Sequence, residues 1–273
     1  MASAASPIHP TALIDPEAEL APDVRVGPYV VIEGPVRLGP GCVVRPFAHL
    51  IGPLTAGRDN DFGTGVVIGD RPQHLLYNGE PTRTEIGDGN TFREHVTVHR
   101  GTASTGATVI GSHNFFMAYS HVAHDCRVGN HCILANGALL GGHCVVEDRA
   151  LLSGHCAVHQ FVRIGRLSML SGISATSRDV PPFILQMGLN RVEGVNLVGM
   201  RRAGFPPAEI QAVRQAFAIL YRQHKTVAGA VLEIEAKYGH SPAVREMIAF
   251  IRASKRGICG ASHAETPAEE EAA

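Results

Sequence analysis

The 273-residue sequence contains no tryptophan, and aromatic residues make up only 5% of it. It also lacks an excess of either charge, because 24 basic and 25 acidic side chains leave a formal net charge of −1. Nucleic-acid binding depends on a dense positive surface, so DNA and RNA are not expected partners. The chain has no run approaching the roughly 18 apolar residues of a membrane span and no basic-then-apolar leader. We expect a soluble, cytoplasmic protein without a membrane span.

Glycine, by contrast, is abundant at 30 residues, and apolar residues recur with a period of six. The period runs from Ile8 to Ile68, resumes over 86–98, and continues from Ile110 to Leu170. Of these 25 hexads, 21 begin with Ile, Leu or Val, and a small residue usually follows four places later. A period of six fits neither a helix nor a single strand. It is typical of a chain that turns a corner every six residues, with three hexads as the three sides of one coil.

Most of the six cysteines fit the same repeat. Four of them, Cys126, Cys132, Cys144 and Cys156, occupy the fifth place of a hexad, where Ala and Val stand elsewhere. No C-x-x-C pair is present, so the sequence does not favour a zinc site. A chain of this length does not need disulfides, and a cytoplasm would keep the thiols reduced. We therefore expect these cysteines to act as small residues that face the core.

Two insertions interrupt the hexads, at 69–85 and 99–109. Insertions in a solenoid project from one face, and such loops commonly carry binding function. The alternative is a tolerated excursion without a role.

A helical pattern replaces the hexads after about residue 190. Apolar residues spaced three and four apart predict a helix over 205–225, and two more helices are predicted over about 226–239 and 242–256. We therefore expect a repeat domain over 1–190, a helical domain over 191–260 and a disordered acidic tail over 261–273. Ten basic residues against four acidic ones over 201–256 indicate either a solvated face or a docking surface for an acidic partner.

His124 is the candidate catalytic residue. It stands third in the hexad that begins at Val122, whereas the first and fifth places face inward, so it points outward or lies at a corner. One coil further along is Gly142, a second coil gives Gln160, and His143 is a near neighbour. A base beside an unobstructed backbone N–H can take a proton from a hydroxyl while the N–H holds an oxyanion, as acyl transfer requires. Asp125 can orient the imidazole only if the chain turns a corner there.

The hexads resemble the left-handed parallel β-helix of the hexapeptide-repeat acyltransferases. Several motifs narrow this to a resemblance to the UDP-N-acetylglucosamine O-acyltransferases of lipid A synthesis, over residues 8–257. These motifs are "GEPTRTEIGDGN", "VTVHRGT", "HVAHDCRVGNHCILAN", "AVHQF", "RDVPP" and "GVNLVGMRRAGF". The resemblance implies a mainly β fold, a left-handed parallel β-helix of hexapeptide repeats with a small C-terminal α-helical domain.

The resemblance also implies roles for individual residues. His124 is then the general base that activates the sugar 3-hydroxyl to attack the thioester of a 3-hydroxyacyl acyl carrier protein, and the N–H of Gly142 holds the oxyanion. The cleft is lined by His99, His121, His143 and Gln160. Asn196 and Arg202 hold the nucleotide, and Gly172 lies on the gauge of acyl-chain length. The family forms homotrimers with clefts between subunits. It uses no metal and no cofactor.

The sequence departs from this family in its first insertion. The family usually reads "QDLKY", and this chain reads "QHLLY", which keeps Gln73 but places His74 and Leu76 at positions that contact the sugar and nucleotide. Val198 and Ala203 also replace polar residues. These changes leave open a paralogue that acylates another UDP-sugar, such as a 3-amino sugar.

Three other interpretations also remain open at this point. One is the later N-acyltransferase of the same pathway, although it carries an extra N-terminal domain. Another is a zinc-binding solenoid with His121, His124 and His143 as ligands. The third is a scaffold without catalysis.

Overall fold

The computed structural model describes residues 7–223 and 225–261. The hexads form very short strands that stack into three parallel sheets, one on each side of a triangular coil. This is the architecture that the six-residue period predicts. The strongly acidic end of the predicted tail, over 262–273, lies outside the described residues.

Along the coils each sheet gathers every third strand, and the last three strands of the described chain all join the third sheet. The first sheet holds Leu13–Ile14, Val31–Glu33, His49–Ile51, Val67–Asp70, Thr97–His99, His121–Val122, Leu139–Leu140, Ala157–Val158 and Ala175–Thr176. The second sheet holds Glu19–Leu20, Val36–Leu38, Leu54–Ala56, Arg83–Ile86, Ala107–Ile110, Arg127–Val128, Val145–Val146 and Arg163–Ile164. The third sheet holds Arg25–Val26, Val43–Val44, Asp61–Phe62, Thr91–Phe92, Phe115–Phe116, Ile133–Leu134, Leu151–Leu152, Met169–Leu170, Ile184–Met187, Arg191–Val195 and Gly260–Ala261.

The register explains why the hexad phase survives both insertions. Partners in regular coils stand three hexads apart along the chain, as Leu139 and Ala157 do. The separation grows to five hexads between Val67 and Thr97, and is four hexads between Thr97 and His121. The first insertion thus adds two whole hexads and the second adds one, so neither shifts the phase of the repeat.

The irregular segments are shorter than the insertions predicted at 69–85 and 99–109. They run over 71–82 and 100–106, because the flanking residues extend the parallel ladders on both sides. Asp70 pairs with His99 in the first sheet. Arg83 pairs with Ala107 in the second.

The interior is a column of stacked apolar side chains. The residues that lead the hexads are buried along most of the column, and Phe62, Phe92 and Phe116 stack with ring centroids 5.4 and 4.8 Å apart. The four cysteines of the repeat are fully buried, which confirms them as core residues. The Cys126 thiol donates to the Gly141 carbonyl at 3.1 Å, so this small residue also helps to join adjacent coils.

A buried ladder of asparagines holds one corner across both insertions. The Asn90 amide donates to Asn60 Oδ1 at 3.0 Å and to the Gly111 carbonyl at 2.9 Å. Asn90 Oδ1 accepts from the Asn114 N–H at 2.9 Å. Because these side chains satisfy buried backbone groups, the corner stays closed where the coil length changes.

Four helices follow the β-helix within the described ranges: α1 (Leu197–Arg202), α2 (Pro207–Arg222), α3 (Val227–Tyr238) and α4 (Pro242–Arg252). The last three match the predicted helices, and the short α1 was not predicted. Thr226 and Ser241 cap α3 and α4 through their hydroxyls. Arg166 of the β-helix pairs with Glu246 of α4, its Nε 2.8 Å from Oε1, which fixes the helices to the last coils. None of these helices is long and apolar enough to cross a membrane.

The asparagine ladder predicts a specific stability loss. Asn90→Leu leaves the Gly111 carbonyl and the Asn114 N–H without partners, and each unsatisfied buried group costs about 1–3 kcal/mol. We expect the free energy of unfolding in urea titrations to fall by about 3 kcal/mol or more. The control, Cys144→Ala, trims the core and removes one weak thiol hydrogen bond, to the His159 carbonyl, and should cost about 1–2 kcal/mol. Equal losses in the two variants would contradict the ladder's role.

Candidate active site

His124 and Asp125 lie at a corner between the strands His121–Val122 and Arg127–Val128. Asp125 adopts a φ of +62°, and this left-handed turn brings the two adjacent side chains to the same side. The corner that an orienting role for Asp125 requires is therefore present. His124 points away from the core, as predicted, but it is only 7% exposed. Its neighbours cover it, so an outward position does not mean a solvated one.

The Asp125 carboxylate is surrounded by donors from the second insertion. Its Oδ1 accepts from the Thr102 N–H at 2.9 Å and from the Thr105 hydroxyl, and its Oδ2 accepts from the Thr102 hydroxyl at 2.8 Å. Oδ2 also lies 2.7 Å from His124 Nδ1. Burial acts to raise the pKa of Asp125, but the hydrogen bonds from Thr105, His124 and Thr102 outweigh it and lower the pKa to about 2. The carboxylate is therefore ionised at neutral pH.

The contact between Asp125 Oδ2 and His124 Nδ1 determines which ring nitrogen of His124 carries the proton. An ionised carboxylate can only accept, so Nδ1 of the neutral imidazole carries the proton and Nε2 keeps a lone pair. Such an imidazole can act as a general base, and the carboxylate stabilises the imidazolium that forms.

Gly142 lies directly against the His124 ring. A Cβ atom at Gly142 would lie 2.6 Å from His124 Cε1 and 2.7 Å from Nε2, so a larger residue would displace the imidazole. The Gly142 carbonyl accepts from the Phe161 N–H at 2.9 Å. Its own N–H has no acceptor among residues 7–223 and 225–261. A basic nitrogen and an unpaired backbone donor are thus neighbours, as the coil spacing predicts.

Three more histidines surround this pair. His143 lies edge-on to His124 at 5.2 Å and stacks on Phe161 at 4.4 Å. His99 and His121 form a second edge-on pair at 4.9 Å. Burial lowers the pKa of each of the three rings, to about 4 for His121, where positive charge on His99 and His124 adds to the effect. At neutral pH the rings of His99, His121 and His143 are therefore neutral.

Three of these side chains have the composition of a metal site. Ligand atoms of His124, Asp125 and His143 lie within 4.8 Å of one another and could hold a transition metal. Both oxygens of Asp125, however, already accept hydrogen bonds from Thr102, Thr105 and His124. A metal would have to displace these donors, so the arrangement is better suited to proton transfer.

The first insertion brings one of its three predicted residues to the site. The His74 ring lies edge-on to His124 with centroids 5.2 Å apart. Leu76 is 82% exposed and Gln73 is also exposed. His74 is therefore part of the immediate surroundings of the candidate base.

The remaining cleft residues lie on later coils. Gln160 is exposed one coil beyond Gly142. Gly172 is exposed at a corner, and the nearest atom to a Cβ there would be the Gly154 carbonyl oxygen at 3.6 Å. Gln160 thus shares the corner of His124 and Gly142, whereas Gly172 lies at a different corner, stacked on Gly154.

Asn196 and Arg202 are not joined to the histidine cluster in the described part of this chain by any hydrogen bond, ion pair or ring contact. Asn196 caps α1: its Oδ1 accepts from the Gly199 N–H at 2.8 Å and its amide donates to the Leu167 carbonyl at 2.8 Å. Arg202 is exposed at the end of that helix.

Comparison with known proteins gives consistent matches along the chain. Residues 179–259 match the family described as Udp N-acetylglucosamine O-acyltransferase, Domain 2, and residues 107–142 match the bacterial transferase hexapeptide repeat. An acyl-[acyl-carrier-protein]–UDP-N-acetylglucosamine O-acyltransferase from Halorhodospira halophila is 46% identical, covering 92% of this chain and 98% of the relative. One from Paraburkholderia xenovorans is 43% identical, over 93% of this chain and 99% of the relative. The chain belongs to the UDP-N-acetylglucosamine O-acyltransferase family.

The family fold is shared as well. The crystal structure of Francisella novicida UDP-N-acetylglucosamine acyltransferase superimposes with a TM-score of 0.91 at 30% identity, covering 94% of this chain and 95% of that one. The fold is therefore a left-handed parallel β-helix of hexapeptide repeats with a C-terminal helical region, which confirms the predicted class.

Two contacts of this family member were not predicted. One is the pair of hydroxyls from Thr102 and Thr105 on Asp125. The other joins Arg256 Nη2 to His159 Nδ1 at 3.4 Å, beside Gln160. Neither follows from the hexad period, because Thr102 and Thr105 lie in an insertion and Arg256 lies beyond the helices.

The low pKa of His121 predicts a pH-dependent stability. Its ordinary value of 6.5 falls to about 4 in the folded chain, so the unfolded chain binds a proton there between these values that the folded chain does not. Its contribution is complete above 6.5 and is lost as the pH falls through about 4. Between about pH 7.5 and 4.5, wild type should lose roughly 2–3 kcal/mol more unfolding free energy than His121→Gln.

Gln at this position keeps a partner for the Thr97 hydroxyl, which lies 2.7 Å from His121 Nδ1. Urea titrations of both proteins at the two pH values measure the difference. Parallel pH profiles would refute the assignment of this loss to His121.

Proposed function

We propose that this chain transfers a 3-hydroxyacyl group from acyl carrier protein to the 3-hydroxyl of UDP-N-acetylglucosamine, the first step of lipid A synthesis. The names of its relatives support the substrates. The observation that carries the reaction class is the position of His124 Nε2 against the backbone of Gly142, whose N–H has no acceptor in the described ranges.

The reaction follows from these groups. His124 Nε2 removes the proton of the sugar hydroxyl as its oxygen attacks the thioester carbonyl carbon. The carbonyl oxygen becomes an oxyanion, which accepts a hydrogen bond from the Gly142 N–H. Asp125 stabilises the imidazolium through Nδ1. When the tetrahedral intermediate collapses, the C–S bond breaks and the imidazolium returns its proton to the leaving thiolate.

The other residues bind rather than react in this proposal. His99, His121, His143 and Gln160 line the acceptor cleft, and Gln73, His74 and Leu76 face the sugar and nucleotide. Gly172 leaves room for the acyl chain, since the space beside it is open. Asn196 and Arg202 hold the nucleotide from a neighbouring subunit of a homotrimer. Their separation from the histidine cluster within one chain supports that assembly.

The charge of the helices supports docking of the acidic carrier protein. The acids of α2 to α4 are all engaged: Glu209 accepts from Ser241, and Glu233, Glu235 and Glu246 pair with basic side chains. Exposed cations without a carboxylate partner in the described chain remain, and these are Arg201, Arg202, Arg214, Arg222, Arg245 and Lys255. Such a surface attracts an acidic protein and speeds its association.

A second acceptor merits a test because His74 contacts the base. An imidazole replaces the usual carboxylate 5.2 Å from the His124 ring, and this is where the sugar substituent would lie. A UDP-sugar with a 3-amino group is therefore the alternative acceptor, with the same donor and the same oxyanion site.

The reaction class predicts the effect of His124→Ala. Loss of a general base costs about 10² to 10⁴ in rate, so kcat should fall by at least a hundredfold. The control is His131→Ala, which removes another corner histidine, with a φ of +56°, outside the cluster. Acyl transfer to UDP-N-acetylglucosamine is followed by product mass, and thermal melting checks each fold. A folded His124→Ala that keeps more than about a tenth of wild-type kcat would rule out the base.

The first insertion predicts a change in KM. A cationic contact to the nucleotide sugar is worth roughly 1–3 kcal/mol, and Leu76 lacks it. Leu76→Lys should lower the KM for UDP-N-acetylglucosamine severalfold and leave kcat and the KM for the acyl donor unchanged. If the 3-amino sugar is the natural acceptor, the lysine should instead weaken its binding. If Leu76→Lys changes the KM for neither UDP-N-acetylglucosamine nor the 3-amino sugar, the first insertion does not govern sugar binding.

A further inference from the structure

The second insertion, over 100–106, contacts the carboxylate of Asp125. Its backbone is held at both ends: the Arg100 N–H donates to the Asp70 carbonyl at 2.9 Å, and the Gly106 carbonyl accepts from the Arg83 N–H at 3.0 Å. The Gly106 N–H closes the turn on the Thr102 carbonyl at 2.8 Å. This short, well-anchored loop presents two hydroxyls inward.

Those hydroxyls converge on one group. The Thr102 hydroxyl donates to Asp125 Oδ2 at 2.8 Å, the Thr102 N–H donates to Oδ1 at 2.9 Å, and the Thr105 hydroxyl also donates to Oδ1. Thr102 is only 9% exposed and Asp125 only 4%, so water has little access to replace the Thr102 donors, whereas Thr105 itself is exposed. The imidazole of His124 bonds Oδ2, and His143 Nε2 lies 3.5 Å from the same oxygen. The rings of His143 and His74 both lie 5.2 Å from that of His124, so these two titratable groups also face the pair.

We propose that Thr102 and Thr105 are positioning residues for acyl transfer, which hold Asp125 ionised and oriented so that His124 presents Nε2 to the substrate. This inference rests on the proposed function. It assigns a purpose to the second insertion: the extra hexad brings two hydroxyl donors to a carboxylate that the regular coil leaves without them.

The donors have a definite electrostatic effect. Each hydrogen bond to the carboxylate disperses its charge, which keeps it ionised and makes it a weaker proton acceptor toward His124. Without the hydroxyls, the carboxylate holds the imidazolium more strongly and rotates more freely. While it faces Nδ1, the carboxylate keeps the base protonated to higher pH. When it has rotated away, a larger share of the neutral rings carries the proton on the wrong nitrogen.

A neighbouring threonine gives a matched control. The Thr108 hydroxyl accepts from the Asp125 backbone N–H at 2.8 Å and does not bond the carboxylate. Thr108→Val therefore disturbs the same corner through the same chemical change, and its effect should be confined to stability.

The experiment compares wild type with Thr102→Val, Thr105→Val, the double variant, Thr105→Ser and Thr108→Val. Each single loss of a carboxylate donor should lower kcat/KM roughly tenfold and move the acid limb of the kcat pH profile to higher pH. The double variant should lose more than either single one. Thr105→Ser should restore both quantities, and Thr108→Val should leave the acid limb in place.

A second readout does not depend on turnover. Ring ¹⁵N shifts of histidine-labelled protein, with His124→Ala identifying the signal, should show the Nδ1–H form in wild type and a tautomer mixture in the double variant. If wild type transfers no acyl group, the proposed function fails, but this measurement still tests the positioning role. Thr105→Val alone suffices if the Thr102 variants do not fold, since Thr105 is less buried than Thr102.

An unchanged acid limb and an unchanged tautomer in folded Thr105→Val would overturn the proposal. So would a serine variant no better than valine, or a Thr108→Val variant with the same shift, since either result would indicate structural support alone.

Discussion

The parallel pairing of residues one coil apart is the constraint on which the rest of this molecule depends. It places side chains that are three hexads apart in the sequence in direct contact, as with Leu139 and Ala157. The core is then a set of columns in which each residue packs on its counterpart. The two groups proposed to carry the reaction obey the same rule, because His124 lies against Gly142. The regular stacking of coils already brings these residues together, so the site requires only suitable residues at one corner of successive coils.

The corner conformation is the second requirement. A regular strand would send adjacent side chains to opposite faces, and Asp125 could not then reach the ring of His124. Its left-handed φ of +62° removes this obstacle. Aspartate tolerates that region better than most residues, since its short polar side chain can bond locally. Backbone geometry and acid–base chemistry are therefore satisfied by one residue.

The hexad period was enough to predict the three-sided coil, the buried cysteines and the contact between His124 and Gly142. These features depend on local spacing that repeats without change. The sequence could not predict that His124 is buried, because its cover comes from His74 in an insertion and from His143 in the next coil. The contacts of Thr102 and Thr105 with Asp125 could not be predicted for the same reason. An insertion has no period, and its partners depend on the path that it takes across the coil.

The surroundings of His124, the proposed base, are rich in imidazoles. His74 adds a fourth imidazole to a site that already contains His99, His121 and His143 around His124. With Asp125 as the buried carboxylate of this group, the site has few fixed charges for a substrate to meet. Selectivity among sugars then depends on hydrogen-bond geometry more than on charge.

The far end of the third sheet also has a consequence for the behaviour of the protein in a crowded cell. Parallel stacks offer an open edge on which another stack can continue, and such edges seed fibres. Here Ile184–Met187 ends the parallel series, Arg191–Val195 runs antiparallel to it, and Gly260–Ala261 covers the outside. The reversal breaks the repeat, and the short final strand leaves little backbone to extend. The chain segment that returns from the helices thus hinders the third sheet from pairing end to end with the sheet of another molecule.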